Sequence, residues 1–90
     1  MSNGGTYAVQ IKRSAEKEMD RLPQAAYSRV SRAILQLGND PRPRGAKKLR
    51  GVEEYRLRIG EFRILYTIDA VARRVEIVAV GHRRDVYRGI

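Results

Sequence analysis

The second half of this 90-residue chain contains six side chains with the chemistry needed to bind and cleave a phosphodiester: Arg56, Arg58, Arg63, His82, Arg83 and Tyr87. Guanidinium groups bind phosphate through paired hydrogen bonds and keep their charge, so they can stabilise a pentacoordinate transition state. An imidazole can transfer a proton near neutral pH, and a phenol ring can stack on an unpaired RNA base. Together these groups would allow a ribose 2′-hydroxyl to attack its own phosphate without a metal. The products would be a 5′-hydroxyl and a 2′,3′-cyclic phosphate or a 3′-phosphate.

Length and composition limit the chain to one small domain. A mass of 10.3 kDa is too small for a two-domain enzyme, so residues 1–90 are predicted to form a single domain with residues 1–6 as a flexible lead-in. The chain has no cysteine and one histidine, so we expect no disulfide, no metal site and no cofactor. No apolar run reaches the roughly 18 residues of a transmembrane helix, and a cytoplasmic protein is expected.

The charge is strongly positive and unevenly distributed. The net charge of +9 favours a polyanionic partner, an acidic protein or both. Residues 1–40 carry +2 of this charge and residues 41–90 carry +7. The surface that faces a polyanion should therefore lie in the second half, where Lys47, Lys48 and Arg50 are predicted to add contacts to an RNA backbone.

Two helices are predicted in the first half of the chain. Ser14 is a plausible N-cap for a helix over residues 15–22, which Pro23 would end. A second helix should cover residues 24–37 and end at Gly38. One face of this helix carries the apolar residues Ala26, Val30, Ile34 and Leu37.

The remaining periodic segments alternate apolar and polar residues, as strands do. They cover residues 7–11, 55–59, 62–68 and 75–80, with a short edge strand at 47–49. The order β-α-α-β-β-β predicts an α+β fold in which the two N-terminal helices pack on one face of a small antiparallel sheet.

The predicted hairpin at Gly60 and Glu61 determines which arginines lie next to each other on the sheet. A two-residue turn there places Arg58 directly opposite Arg63, on the face away from the helices, together with Arg56. Like charges in this position destabilise a sheet, and an anion between them would relieve the repulsion.

The next hairpin is predicted to pair Ile68 with Val75, and therefore Arg63 with Val80. This register would bring Arg83, His82 and Tyr87 beside the same arginines, on one concave surface.

Simpler interpretations exist for each residue taken alone. Alternating arginines are common on the solvent face of a sheet, and His82 could be a surface or packing residue. Tyr87 could cover a sheet edge, and Lys47 and Lys48 could be solvated edge charges. Tyr27 and Tyr66 are expected in the core.

Several short segments, taken in order, resemble the RelE-type toxins. They are LP at 22–23, DPRP at 40–43, KKLRG at 47–51, YRLR at 55–58, GEFRILY at 60–66 and VGHRRDVY at 80–87. The resemblance covers about residues 7–88 and implies a small α+β domain. It also implies a ribosome-dependent endonuclease that cuts mRNA in the ribosomal A site, and a cognate antitoxin encoded beside it.

The family's catalytic basic residues correspond to Arg56, Arg58, Arg63 and Arg83, and its C-terminal tyrosine corresponds to Tyr87. The best-studied member has lysine at the positions of Arg56 and Arg58, where one lysine is assigned as the general base. Arginine is a poor base because its pKa lies above about 12. Either His82 takes that role in this chain, or the ribosome supplies more of the positioning.

Two other functions fit the same sequence. ParE-like toxins share the fold and act on DNA gyrase without the basic catalytic set, and a plain RNA-binding module would bind without cleaving. For either toxin function, RelE-type or ParE-like, the net charge of +9 suits an antitoxin with an acidic, partly disordered segment that folds on binding. That segment is expected to cover the sheet or displace the tail that carries Tyr87.

Overall fold

A computed structural model of the chain describes residues 7–51 and 53–82. The elements in chain order are β1 (Ala8–Ile11), α1 (Arg13–Asp20), α2 (Gln24–Leu37), β2 (Ala46–Lys48), β3 (Tyr55–Ile59), β4 (Phe62–Asp69) and β5 (Arg74–His82). The lead-in predicted for residues 1–6 lies outside the described residues. Neither α1 nor α2 is long and apolar enough to cross a membrane.

The five strands form one sheet in the order β1-β5-β4-β3-β2. The α+β prediction is confirmed, but the sheet is mixed and not wholly antiparallel, because β1 pairs with β5 in parallel. The other three pairings are antiparallel hairpin neighbours. Alternation in a strand does not report the direction of a partner that lies more than sixty residues further along the chain, as Val75 does from Val9.

Both helices pack against the same face of the sheet. Residues of α1 and α2 form one apolar cluster with the inward side chains of β3, β4 and β5: Ala15, Met19, Val30, Ala33, Ile34, Leu37, Leu57, Ile64, Tyr66, Val75, Ile77 and Val80. Burial of such side chains contributes roughly 1.5–3 kcal/mol for each large one. Because strand side chains alternate, every second residue must point to the opposite, helix-free face.

The β3–β4 hairpin has the predicted register. Ile59 lies opposite Phe62 and Arg58 lies opposite Arg63. Gly60, the first turn residue, has a φ of 60°, a conformation that glycine adopts at little cost. The turn therefore holds the two arginines in register.

The pairing of β4 with β5 shifts by one residue at a β-bulge, where Val78 of β5 has no partner on β4. The register predicted for the start of this hairpin is confirmed. Past the bulge, the prediction that Arg63 lies opposite Val80 is wrong, since Gly81 occupies that position. The shift keeps Val80 on the helix side, where it is buried in the core.

The second helix has the predicted bounds, but the first covers Arg13–Asp20 where residues 15–22 were predicted. The first helix begins at Arg13, so Ser14 lies inside its first turn and is not the N-cap. The chain enters α1 directly from β1, because the Lys12 amide still donates to the Ile77 carbonyl of the sheet while its own carbonyl accepts from the Glu16 amide. Gly38 ends α2 with ordinary helical angles. A Cβ atom there would lie 3.1 Å from the Tyr7 carbonyl oxygen, so a side chain would require the backbone just before β1 to shift by a few tenths of an ångström.

Three aromatic and cationic side chains hold the α2–β2 connection against the sheet. The Tyr66 hydroxyl donates to the Pro41 carbonyl at 2.7 Å, and its ring stacks on Tyr55 with centroids 5.7 Å apart. The Arg42 guanidinium lies over the Tyr55 ring at 5.4 Å. Burial raises the pKa of Tyr66 to about 12. The core prediction is confirmed for Tyr66 but wrong for Tyr27, which is 41% exposed.

Replacing Tyr66 with phenylalanine should lower the free energy of unfolding by about 0.5–1.5 kcal/mol at neutral pH, because the Pro41 carbonyl loses its donor. The folded-state pKa lies above the usual value near 10, so this contribution is complete below pH 10 and is lost as the pH rises towards 12. Chemical denaturation of wild type and Tyr66→Phe across pH 7–12 would show the gap closing. Exposed Tyr27→Phe should change stability by less than about 0.5 kcal/mol; a gap independent of pH would contradict the assignment.

Candidate active site

The helix-free side of β3 and β4 carries a surface that we call the arginine face, defined by Arg56, Arg58 and Arg63. The strand pairings arrange it in two rows. One row contains Arg58, Arg63 and Gly81, and the neighbouring row contains Lys47, Arg56, Leu65 and Ala79. Neither row contains a carboxylate, so the described part of this face presents positive charge without an acidic neighbour directly across a strand.

Arg58 and Arg63 occupy adjacent positions but differ in exposure. In a two-residue hairpin, the pair after the closing pair is not hydrogen-bonded, and its Cα atoms are about 4.5 Å apart. Arg58 is exposed, whereas Arg63 is 7% exposed. The Nε and Nη1 atoms of Arg63 are buried. The pair therefore consists of one buried arginine and one that reaches into solvent.

Arg56 extends the cationic surface towards the sheet edge. It is half-buried, and its Nε atom is buried without a hydrogen-bond partner among the described residues. A buried donor of this kind costs free energy unless a ligand or water accepts its hydrogen bond. On β2, Lys47 lies directly opposite Arg56 and is exposed. These two residues could hold a second phosphate beside the Arg58–Arg63 pair.

Acidic residues on the same side of the sheet lie at its other end. There Asp69 lies opposite Arg74, and Glu76 lies opposite Thr67. This separation directs the positive potential to the β3–β4 hairpin end, where a polyanion would be attracted.

His82 does not join the arginines, and the prediction that it does is wrong. It lies opposite Phe62, on the helix side of the sheet, and its ring contacts the Phe62 ring edge-on at 6.1 Å. Its Nε2 atom is 3.3 Å from Glu61 Oε1. The β-bulge causes this, because the extra residue in β5 reverses the side to which residues 79–82 of this strand point.

The cleft around His82 belongs to α1 as much as to the sheet. It has a volume of about 290 Å³ and is lined by Glu18, Arg21, Leu22 and Pro23 from the helical side. Glu18 accepts a hydrogen bond from the Val80 amide at 2.9 Å. These contacts place His82 in this cleft, on the side of the sheet away from the arginine face.

Two of the predicted RNA-binding residues lie away from the arginine face. Lys48 is opposite Tyr55, and its Nζ lies 2.8 Å from Glu53 Oε2. Hydrogen bonding and attraction by this carboxylate raise the pKa of Lys48 and lower that of Glu53. Arg50 lies in the same loop, where it helps to line a hollow with Leu49. Of the three residues predicted for RNA binding, Lys47 is the one on the arginine face.

Arg83 and Tyr87, which were predicted to complete the site, lie outside the described residues. Their roles remain predictions. Among residues 7–51 and 53–82, no three His, Asp or Glu side chains are grouped as metal ligands would be.

The described arrangement is suited to binding an anion and stabilising negative charge. Three guanidinium groups on one face can bind a phosphodiester and stabilise charge that develops on its oxygens. Sequence reasoning found these arginines from alternation and turn length. It missed that Gly81 is the neighbour of Arg63, although a glycine inside a strand often marks a bulge or a close approach.

Known proteins that resemble this chain in sequence and fold are toxins. Residues 9–87 match a family model described as the ParE toxin of type II toxin–antitoxin systems, parDE. The curated Toxin RelE of Mycobacterium tuberculosis is 35% identical over 91 residues, and the match covers 98% of this chain and 93% of the relative. The chain therefore belongs to the ParE toxin family of type II toxin–antitoxin systems.

Two solved structures indicate which type of toxin within this family the chain resembles. The toxin–antitoxin complex RelBE2 from Mycobacterium tuberculosis matches with a TM-score of 0.78 and 30% identity, over 87% of this chain and 99% of that chain. The archaeal RelE–RelB complex from Pyrococcus horikoshii matches with a TM-score of 0.79 and 29% identity, over 89% of this chain and 98% of that chain. Within its family, the chain is of the RelE type, as its sequence motifs predicted.

Replacing Arg58 with threonine should stabilise the protein by about 0.2–1 kcal/mol, because the like charge opposite Arg63 is removed and threonine favours strands. The gain should shrink in 1 M NaCl, where the screening length is only about 3 Å. Denaturant unfolding at low and high salt measures both effects.

The matched control is Arg74→Thr, on the same side of the sheet. Arg74 is exposed and lies opposite Asp69, so its replacement removes an attraction and should give no gain. Equal stabilisation by both variants would show that repulsion between Arg58 and Arg63 is not the cause.

Proposed function

We propose that this toxin is a ribosome-dependent endoribonuclease that cleaves mRNA in the A site and thereby arrests translation in the cytoplasm. The observation that carries the proposal is the direct pairing of Arg58 with Arg63 on the helix-free face, beside Arg56. Such a pair destabilises the free protein, and an RNA phosphate between the two guanidinium groups removes that repulsion.

In the proposed reaction, the scissile phosphate lies between Arg58 and Arg63. The 2′-oxygen forms a bond to phosphorus, and the bond from phosphorus to the 5′-oxygen breaks. The 2′-hydroxyl gives up a proton and the 5′-oxygen takes one up, so the products are a 2′,3′-cyclic phosphate and a 5′-hydroxyl. The buried guanidinium of Arg63 is held before the reaction begins, which favours stabilisation of the extra charge in the transition state.

The chemistry of the arginine face supports ribosome dependence. Arginine keeps its charge at neutral pH and so cannot act as a general base, and His82, the other candidate base, lies on the opposite face of the sheet. The arginines of this face therefore bind and stabilise charge but do not move protons. A ribosome that holds the mRNA with its 2′-hydroxyl in line with the leaving oxygen would supply the missing orientation.

A cognate antitoxin is the second proposed partner. Two similar solved structures are complexes of RelE-type toxins with antitoxins, and a net charge of +9 suits a partner with an acidic segment that folds on binding. Binding over the arginine face would neutralise the same charges that hold RNA.

Gyrase inhibition is the alternative that the name of the family model supports, since that model is described by the ParE toxin. The paired arginines favour the nuclease, because inhibition of gyrase does not require a phosphate-binding pair. An assay of DNA supercoiling beside one of mRNA cleavage separates the two functions: gyrase poisoning with intact mRNA would replace our proposal by the ParE-like one.

Replacement of Arg63 by alanine should reduce the rate of cleavage of ribosome-bound mRNA by about 10²–10³, as expected for a group that stabilises transition-state charge. Primer extension on ribosome-bound mRNA measures this rate. The control Arg74→Ala removes one positive charge from the other end of the same face and should leave the rate within about threefold of wild type. Wild-type cleavage by Arg63→Ala would remove Arg63 from the mechanism.

A further inference from the structure

Arg63 is buried in a place where arginines ordinarily extend into solvent. It points to the helix-free face of the sheet, yet only 7% of its surface is exposed, and its Nε and Nη1 atoms are inaccessible. Its cross-strand neighbour Arg58, on the same face, is exposed. Arginine side chains are mostly exposed in proteins, so the burial of Arg63 needs a local cause.

The two neighbours of Arg63 across the sheet differ in the space that they leave for its side chain. On one side lies Arg58, whose charge repels the guanidinium. On the other side lies Gly81, which has no side chain. A glycine inside a strand weakens the strand, so its presence often marks a close approach by another group. Space on one side and repulsion on the other would direct the Arg63 side chain towards β5.

The β-bulge at Val78 is what places the glycine there. Without the extra residue, the uninterrupted register would put Val80 opposite Arg63, and its branched side chain would fill the space beside the guanidinium. With the bulge, Val80 is buried in the core instead, at 1% exposure. Bulges are common next to active sites because they change which side chain faces the site.

We propose that Gly81 is a positioning residue: it leaves the space in which the guanidinium of Arg63 lies flat against β5. The Arg63 guanidinium then lies close to the sheet surface, whereas that of Arg58 extends into solvent. The distance between the two charges increases while both stay on the arginine face. The consequence for catalysis rests on the proposed nuclease function, whereas the position of Arg63 does not depend on it.

The position of the Arg63 side chain is tested on the whole protein by NMR, which measures the rate at which the Arg63 Nε proton exchanges with water. Gly81→Val should speed this exchange by about tenfold or more, because the side chain is displaced into solvent. Gly81→Ala should give a smaller change in the same direction. The control Ala8→Val also places a valine on the same side of the sheet, at an exposed position opposite Arg74, and should leave the exchange unchanged.

Catalysis provides the second readout. Gly81→Val should slow the cleavage of ribosome-bound mRNA by about 10–100-fold, with little change in melting temperature. In an Arg63→Ala background, Gly81→Val should cause no further loss, since it acts through Arg63.

Unchanged Arg63 exchange in Gly81→Val, or losses that add in the double variant, would overturn the proposal. If Gly81→Val does not fold, Gly81→Ala carries the same comparison. If wild type does not cleave mRNA at all, the nuclease proposal fails, while the exchange rates still decide the role of Gly81.

Discussion

The repulsion between two arginines that a two-residue turn holds side by side is the constraint on which the rest of the site depends. Gly60 and Glu61 leave no freedom of register, so Arg58 must face Arg63. The core on the other side of the hairpin prevents the strands from slipping, because a shift by one residue would expose Ile64 and bury an arginine in its place. The energy that buries the apolar side chains therefore also holds the like charges together.

Much of this arrangement could be predicted from local patterns. Alternation located β3 and β4, and the glycine in the turn set their pairing, because both depend on residues close together in the chain. The same holds for α2, whose apolar residues Val30, Ile34 and Leu37 are all buried. Recognition of the family rested on short motifs spread over most of the chain, and the comparisons agree with it.

The features that local patterns could not supply depend on contacts between distant segments. The bulge at Val78 exists because Val80 must reach the core on the far side of the sheet while Gly81 faces Arg63. Packing against the helices determines the register after the bulge, so a short segment of sequence does not predict it. The displacement of His82 to the cleft beside α1 follows from the same single residue. Likewise, the parallel pairing of β1 with β5 joins the two ends of the described chain.

The chemical ends of cleaved mRNA test the central claim most directly. Wild-type toxin incubated with ribosomes programmed with a defined mRNA should produce downstream fragments that begin with a 5′-hydroxyl. The matching upstream fragments should end in a 2′,3′-cyclic phosphate or a 3′-phosphate. Fragments that begin with a 5′-phosphate would contradict attack by the neighbouring 2′-hydroxyl. Intact mRNA under conditions where the toxin arrests growth would contradict the nuclease itself.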